Sequence, residues 1–351
     1  MDTILITGAG GLVGSAAAEH FHSRGLSIIG VDNDLRGKLL GDPGASTRWN
    51  VQRLERSLMN FVNHDVDVRD VEKLDRIVKE RASSIRAIIH TAAQPAHEGE
   101  VMEDFSINAV GTLGLLSLWR RYCPSATFIY TSTIKVYGNF PNTLEYLKVG
   151  TQYDLPPGHR FYRGFDESVS IDQGISSFFG RSKTTSDLYV QEYAYQFGLR
   201  AVCFRPSCVT GGHHAGAEAH GMLSYLMRCA VTGKPYRIFG YDGFQVRDQL
   251  SAADLVRAFE EVLAVPPKNV VYNIGGGREN ACSILQAIAM CEELAERKLQ
   301  VSHHEMRKGD HIWWVTDNRR FESDYPSWKI SCPLDAIFRD IYENGRLQWK
   351  A

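Results

Sequence analysis

No stretch of the 351-residue chain reaches about 18 uninterrupted apolar residues, so a transmembrane helix is not expected. Charge of one sign is equally scarce, with 39 Lys and Arg against 41 Asp and Glu for a net of −2. That balance argues against a surface built for nucleic acid or an anionic membrane. The cysteines, Cys123, Cys203, Cys208, Cys229, Cys282, Cys291 and Cys332, are odd in number, widely spread and form no CxxC pair. Neither a disulfide framework nor a metal site is expected from them, and they read as reduced thiols, mostly in the core. The start, MDTILITGAGG, carries an acid where a signal peptide carries bases. Internal repeats and low-complexity tracts are also missing. Together these absences predict a globular cytoplasmic protein.

Short β-branched runs are present in a regular rhythm: TILIT from residue 3, LSIIGVD from 26, NFVNHDV from 60, AIIHTA from 87, ATFIYTS from 126 and RAVCFRP from 200. Between most of them lie apolar stripes of helical period, as in DFSINAVGTLGLLSLW and KTTSDLYVQEYAYQFG. This alternation predicts an α/β fold, a Rossmann-type doubly wound parallel sheet with helices on both faces. After about residue 206 the rhythm breaks, which predicts a smaller C-terminal substrate-binding domain. The expected division is a dinucleotide-binding domain over 1–205, with a return near 245–275, and a second domain over 206–244 and 276–351. Residues 139 to 175 are too long for an ordinary connection and read as a flap over a site.

The strongest local signal is LITGAGGLVGSAAAEHF, where Gly8, Gly11 and Gly14 follow a strand and open a helix. In that context the glycines permit a tight turn, close approach to a pyrophosphate and close helix–strand packing, and the helix N-terminus faces the phosphates. Asp32, at the end of the second strand, suits both ribose hydroxyls and repels a 2′-phosphate, so NAD is favoured. Arg36 nearby keeps NADP open, and a turn in VDND is the plainer reading of Asp32.

These residues, with DVRD (Asp67 to Asp70), HTAAQ (His90 to Gln94), TSTIKVYG (Thr131 to Gly138) and the lysine of GRSK, resemble the extended short-chain dehydrogenase/reductase family, the NAD-dependent sugar-nucleotide epimerases and dehydratases. The likeness continues through FRPSCVTGG, QVRDQLSAADL, NIGGG and RKGDHIWWVTD. Within the family, the TSTxKVYG and QVRD forms are similar to those of epimerases acting at C2 of a CDP-sugar.

The resemblance implies NAD as cofactor, bound by Gly8, Gly11, Leu12, Val13, Gly14, Asp32, Asn33, Asp67, Val68, Thr91, Ala92, Ala93, Gln94, Lys183 and Pro206. It implies a nucleoside-diphosphate sugar as substrate, contacted by Thr133, Ser207, Arg247, Arg307 and Asp310, the two arginines gripping the diphosphate as guanidinium forks can. Thr133 would hydrogen-bond the hydroxyl being oxidised, and Lys183 would hold the nicotinamide ribose. Plainer readings stand beside each: strand-end packing for Thr133, a solvated helix residue for Lys183, ion pairs with Asp248 or Asp310 for the arginines. A homodimer through helices near 104–122 and 183–197 is a further implication. Family dehydratases carry an Asp-Glu pair after the threonine, whereas Ile134 and Lys135 stand here, which disfavours that elimination.

One position departs from the pattern. Phe179 stands four residues before Lys183, where the family has the tyrosine that exchanges the hydroxyl proton. Losing a general base costs about a hundred- to ten-thousandfold in rate. Another group must move the proton, or the phenylalanines shape a pocket for a substrate handled differently; His97, Cys208, His213 and His214 are candidates, histidine because it titrates near neutrality. A protein that binds or senses NAD or a nucleotide sugar without turnover, and a keto-sugar nucleotide reductase, remain as alternative functions.

Overall fold

A computed structural model describes residues 1–94, 100–268 and 270–349. The described chain divides into two compact units, one made of 1–136, 178–205 and 255–272, the other of 137–177, 206–254 and 273–351.

The first unit is built on a seven-stranded sheet. Its leading strands are β1 (Thr3–Thr7), β2 (Ser27–Val31), β3 (Phe61–His64), β4 (Ile85–His90) and β5 (Thr127–Thr131). Ala201–Pro206 follows β5 in the sheet, and Val271–Ile274 lies beyond it at the edge. The six candidate strands read from the sequence all take their places. From β3 to Ala201–Pro206 the recorded pairings are parallel. Sheets covered on both faces have near-continuous apolar strands, and TILIT is buried throughout. The order 3-2-1-4-5 reverses between β1 and β4, the switch point at which such sheets bind ligands beyond their strand ends.

Helix α1 (Leu12–Ser23) follows β1 directly, and its alanines Ala17 and Ala18 are buried against the strands. Leu115 and Trp119, from the helix Gly111–Tyr122, join Leu5, Ile88 and Phe128 in one core. Just before that helix, Phe105–Val110 is wound as a π-helix continuing Val101–Asp104. Such wide turns occur mostly as single interruptions inside α-helices, frequently at functional sites.

In the second unit, Val246–Ser251 pairs with Ala281–Ser283, Trp313–Trp314 and Cys208–Thr210. Helices Met222–Thr232, Ile284–Ala295 and Leu334–Trp349 share a separate core containing Leu226, Met227, Cys291, Ile337 and Phe338. Part of the segment read as a flap is fixed within this unit: Phe165 is fully buried and its ring lies 4.8 Å from that of Trp314. No helix among the described residues is long and apolar enough to cross a membrane.

Candidate active site

The turn after β1 has the shape a pyrophosphate needs. Gly8 sits at φ +71°, and a Cβ there would come within 2.8 Å of the Ala92 nitrogen. A Cβ at Gly14 would lie 2.1 Å from the Gly8 carbonyl oxygen, so helix and strand meet there because no side chain intervenes. Gly11 caps α1 without a side-chain hydrogen bond. Leu12 and Val13 form the first turn, whose N–H groups are those a helix leaves for an anion. Asn50, from the helix Arg48–Ser57, donates to the Gly10 carbonyl at 2.9 Å and steadies the loop from the side.

Asp32 follows β2. It accepts from the Gly10 backbone N–H and the Asp34 N–H, each at 2.9 Å, and from the Thr47 hydroxyl at 3.1 Å. Burial nevertheless pushes its carboxyl pKa up. Asp34 in turn binds Ser46 and the Thr47 backbone, so a second carboxylate sits close to the first. Arg36 lies within electrostatic reach of Asp32, and burial lowers its guanidinium to about 10. Asp67 is gripped by Arg69 at 2.7 and 2.8 Å and by Asn33 at 3.2 Å. Burial pushes its carboxyl up, but these bonds outweigh it and hold it below its usual value. Val68 is buried against Gly111, so its side chain serves packing.

Behind this cradle runs a polar relay that sequence reasoning missed. Buried His90 meets the Thr7 hydroxyl at 2.6 Å through Nδ1 and the Thr112 hydroxyl at 2.8 Å through Nε2. Burial and the charge of Lys183 push its pKa down to about 3, so the ring is neutral. Thr91 donates to the Thr7 carbonyl at 2.8 Å, which lays Thr91 and Ala92 against the glycine turn, with Ala93 half-buried after them. Gln94 faces inward, its amide donating to Asp104 at 2.8 Å and its backbone N–H to Asn108 at 2.9 Å. Asn108 lies in the π-turn and also donates to Ser182 at 2.9 Å, which ties the HTAAQ loop to the helix that carries Lys183. A lone asparagine amid the apolar stripe of DFSINAVGTL was the available sign.

Thr133 lies just past β5, and its hydroxyl accepts the Lys135 N–H at 3.2 Å, leaving its own proton to donate. The helix Phe178–Phe197 carries Phe179 and Lys183 one turn apart, both buried. The amine of Lys183 donates to the Thr131 carbonyl at 2.7 Å and stands 4.2 Å from the centre of the Tyr130 ring. Burial lowers its pKa to about 7, with Asp187 and Cys203 pulling the other way. The Thr131 hydroxyl is buried with no hydrogen-bond partner. A buried orphan hydroxyl, a glycine cradle and a strand-end carboxylate fit a bound dinucleotide.

In the second unit, Ser207, after Pro206, hydrogen-bonds the fully buried Asp248. Arg247 is committed to Asp310 at 2.5 Å and to the carbonyls of Val246 and His311, the ion-pair arrangement held open above. Arg307 lies 3.8 Å over the Phe239 ring and donates to the Glu218 carbonyl at 3.0 Å. Among the proposed substitutes for the tyrosine, His214 is buried in the second unit, with its ring 5.5 Å from that of His220. His213 and Cys208 belong to the same unit. His97 lies outside the described residues.

Residues 4–275 match the NAD dependent epimerase/dehydratase family. Among curated proteins, the chain is 32% identical to CDP-paratose 2-epimerase of Salmonella typhi, covering 90% of this chain and 91% of that one. It is 28% identical to dTDP-glucose 4,6-dehydratase of Neisseria meningitidis serogroup B, covering 99% and 93%. The fold is similar to the crystal structure of UDP-glucose 4-epimerase from Bifidobacterium longum in complex with NAD+ and UDP, with a TM-score of 0.78 at 23% identity over 97% of each chain. The match across most of the chain, on a fold whose glycine turn and strand-end carboxylate suit a dinucleotide, makes this protein an enzyme of the NAD dependent epimerase/dehydratase family, with NAD as its cofactor.

Proposed function

We propose that the protein epimerises a nucleoside-diphosphate sugar, at C2 of a CDP-linked sugar, by transient oxidation and re-reduction with no net redox change. The observation that carries this reading is the 32% identity to CDP-paratose 2-epimerase over 90% of the chain. Ile134 and Lys135 support it, since neither can supply the acid–base carboxylate pair of the dehydratase route.

Bound NAD supplies the site with a hydride acceptor and then a donor. The chain's own residues do the rest. The glycine turn and α1 bind the pyrophosphate, Asp32 accepts the ribose hydroxyls, and Asp67 with Asn33 borders the adenine. Thr133 orients the sugar hydroxyl with the proton its bond to Lys135 leaves free. Arg307 grips the diphosphate, and Arg247 adds charge with its fork set by Asp310. On this reading the first unit is the NAD-binding domain and the second binds the nucleotide sugar.

A homodimer is part of the proposal. The helix Phe178–Phe197 exposes Phe178, Leu188, Tyr189 and Tyr195, and the neighbouring helical run exposes Met102, Phe105 and Leu113. Large exposed apolar patches mark association surfaces.

The test is incubation with CDP-paratose, and separately with UDP- and dTDP-sugars, following C2 configuration by NMR. Inversion with the C2 hydrogen retained in the product supports the reading, and no inversion of any CDP-sugar refutes it. Phe179 favours a second reading, a protein that binds NAD and nucleotide sugar without turnover. It predicts tight binding of both and no reduced cofactor on mixing.

A further inference from the structure

Resting on that function, we propose that the amine of Lys183 is itself the group that takes the proton from the sugar hydroxyl being oxidised and returns it on re-reduction. In balanced form, the sugar O–H bond breaks and its proton passes to the lone pair on Nζ. The electrons left on oxygen form the carbonyl as the hydrogen on the same carbon departs as hydride, which bound NAD would accept; on re-reduction the hydride would return to the opposite face of the carbonyl and Nζ would give its proton back to the oxygen.

Three observations carry this. First, positions 179 and 183 share one face of the helix, and the side chain at 179 is an apolar ring only 9% exposed. A phenol there would leave the lysine a supporting charge; a phenyl ring has no proton to exchange and dries the surroundings of the amine. Second, the amine spends one N–H on the Thr131 carbonyl, at the end of the strand whose next residues reach Thr133, and that bond is only partly buried. A neutral amine so anchored keeps a lone pair. Third, burial opposes the ammonium more strongly than Asp187 and Cys203 favour it. Asp187, four residues on, is already paired with Arg205 at 2.8 Å and accepts the Ser132 hydroxyl at 2.6 Å. From the neighbouring strands come His90, neutral with both ring nitrogens engaged, Cys203, whose thiol is pushed well up by burial, and the fully buried ring of Tyr130. Burial accordingly brings Lys183 to about 7, where it can both accept and return a proton.

Arginine keeps the charge and the hydrogen bond but cannot act as a base at neutral pH. Single-turnover appearance of reduced nicotinamide would be followed in the wild type, K183R, F179Y/K183R and K135R, with NAD affinity measured for each. Lys135 is the other buried amine close to Thr133 in sequence. We expect K183R to retain NAD yet lose at least about a hundredfold in the reduction rate, the double variant to recover much of it through the restored phenol, and K135R to keep it. Independently of turnover, 13Cε-lysine NMR of the NAD-free protein should show one signal, shifted by added NAD, titrating near 7.

A K183R rate within tenfold of wild type would show that the lysine supplies only charge and overturn the proposal. So would loss in K135R alone, or a Lys183 signal titrating above about 9. If the wild type forms no reduced cofactor with any nucleotide sugar, the proposed function itself has failed and the inference falls with it.

Discussion

Arg205 meets Asp187 through two hydrogen bonds, Nη2 to Oδ1 at 2.8 Å and Nε to Oδ2 at 3.0 Å, with the carboxylate at 0% exposure and the guanidinium at 5%. The pair joins the strand Ala201–Pro206 to the helix Phe178–Phe197. A buried ion pair adds little over an apolar replacement, but removing one member strands the other charge. We predict that D187N costs about 3–5 kcal/mol, and that D187L/R205M costs less than D187N alone. Urea denaturation measures both, and a D187N loss below about 1 kcal/mol would contradict the burial argument.

Gly14 is a second point of predictable damage. The Cβ of G14A would lie 2.1 Å from the Gly8 carbonyl, and backbone cannot swing aside as a side chain can. Overpacking of this kind costs about 1–3 kcal/mol, and if that strain falls on the bound turn NAD should bind about five- to a hundredfold more weakly. Calorimetric titration with NAD tests this, and unchanged affinity would show that the turn does not contact the cofactor.

Cofactor preference should follow Asp32. With its carboxylate removed in D32A, NAD should weaken by about ten- to a hundredfold, the value of hydrogen bonds to a charged group. NADP should then gain relative to NAD, because Arg36 is close by and a repelling carboxylate is gone. Equal loss for both dinucleotides would place the ribose elsewhere.

Asp104 gives a pH-dependent prediction. It is 1% exposed, with one oxygen bonded to Gln94 and the other without a partner, and burial lifts its pKa to about 6, with Glu100 and Glu103 adding to the rise. A carboxyl raised on folding contributes stability that is full below its unfolded pKa of 3.8 and lost as pH rises through about 6. D104N keeps an oxygen for Gln94 and removes the cost of the buried charge. It should therefore stabilise the protein by roughly 1–2 kcal/mol at pH 8, with the gain fading towards pH 4. Thermal unfolding across that range decides it, and a pH-independent difference would rule out titration of Asp104 as the cause.

The legible parts were those with local rules. β-Branched runs of five or six residues foretold strands, and glycines after a strand foretold the turn, because these depend on backbone sterics within a few residues. The relay through His90, Thr7 and Thr112 was not legible, since its members come from three separate elements. Arg247 could be read as a phosphate clamp or an ion-pair partner. Its fork is held by Asp310, 63 residues away, and spacing along the chain carries no information about such a contact.

By itself the sequence determined the parallel α/β order, the dinucleotide turn and the absence of a phenol at residue 179, each a matter of which atoms the chain carries and what nearby backbone permits. Only the tertiary structure decided the protonation chemistry around Lys183. A lysine in water keeps its proton to about 10, and this one is brought near 7 by desolvation among strands and a helix that meet only when the chain is folded.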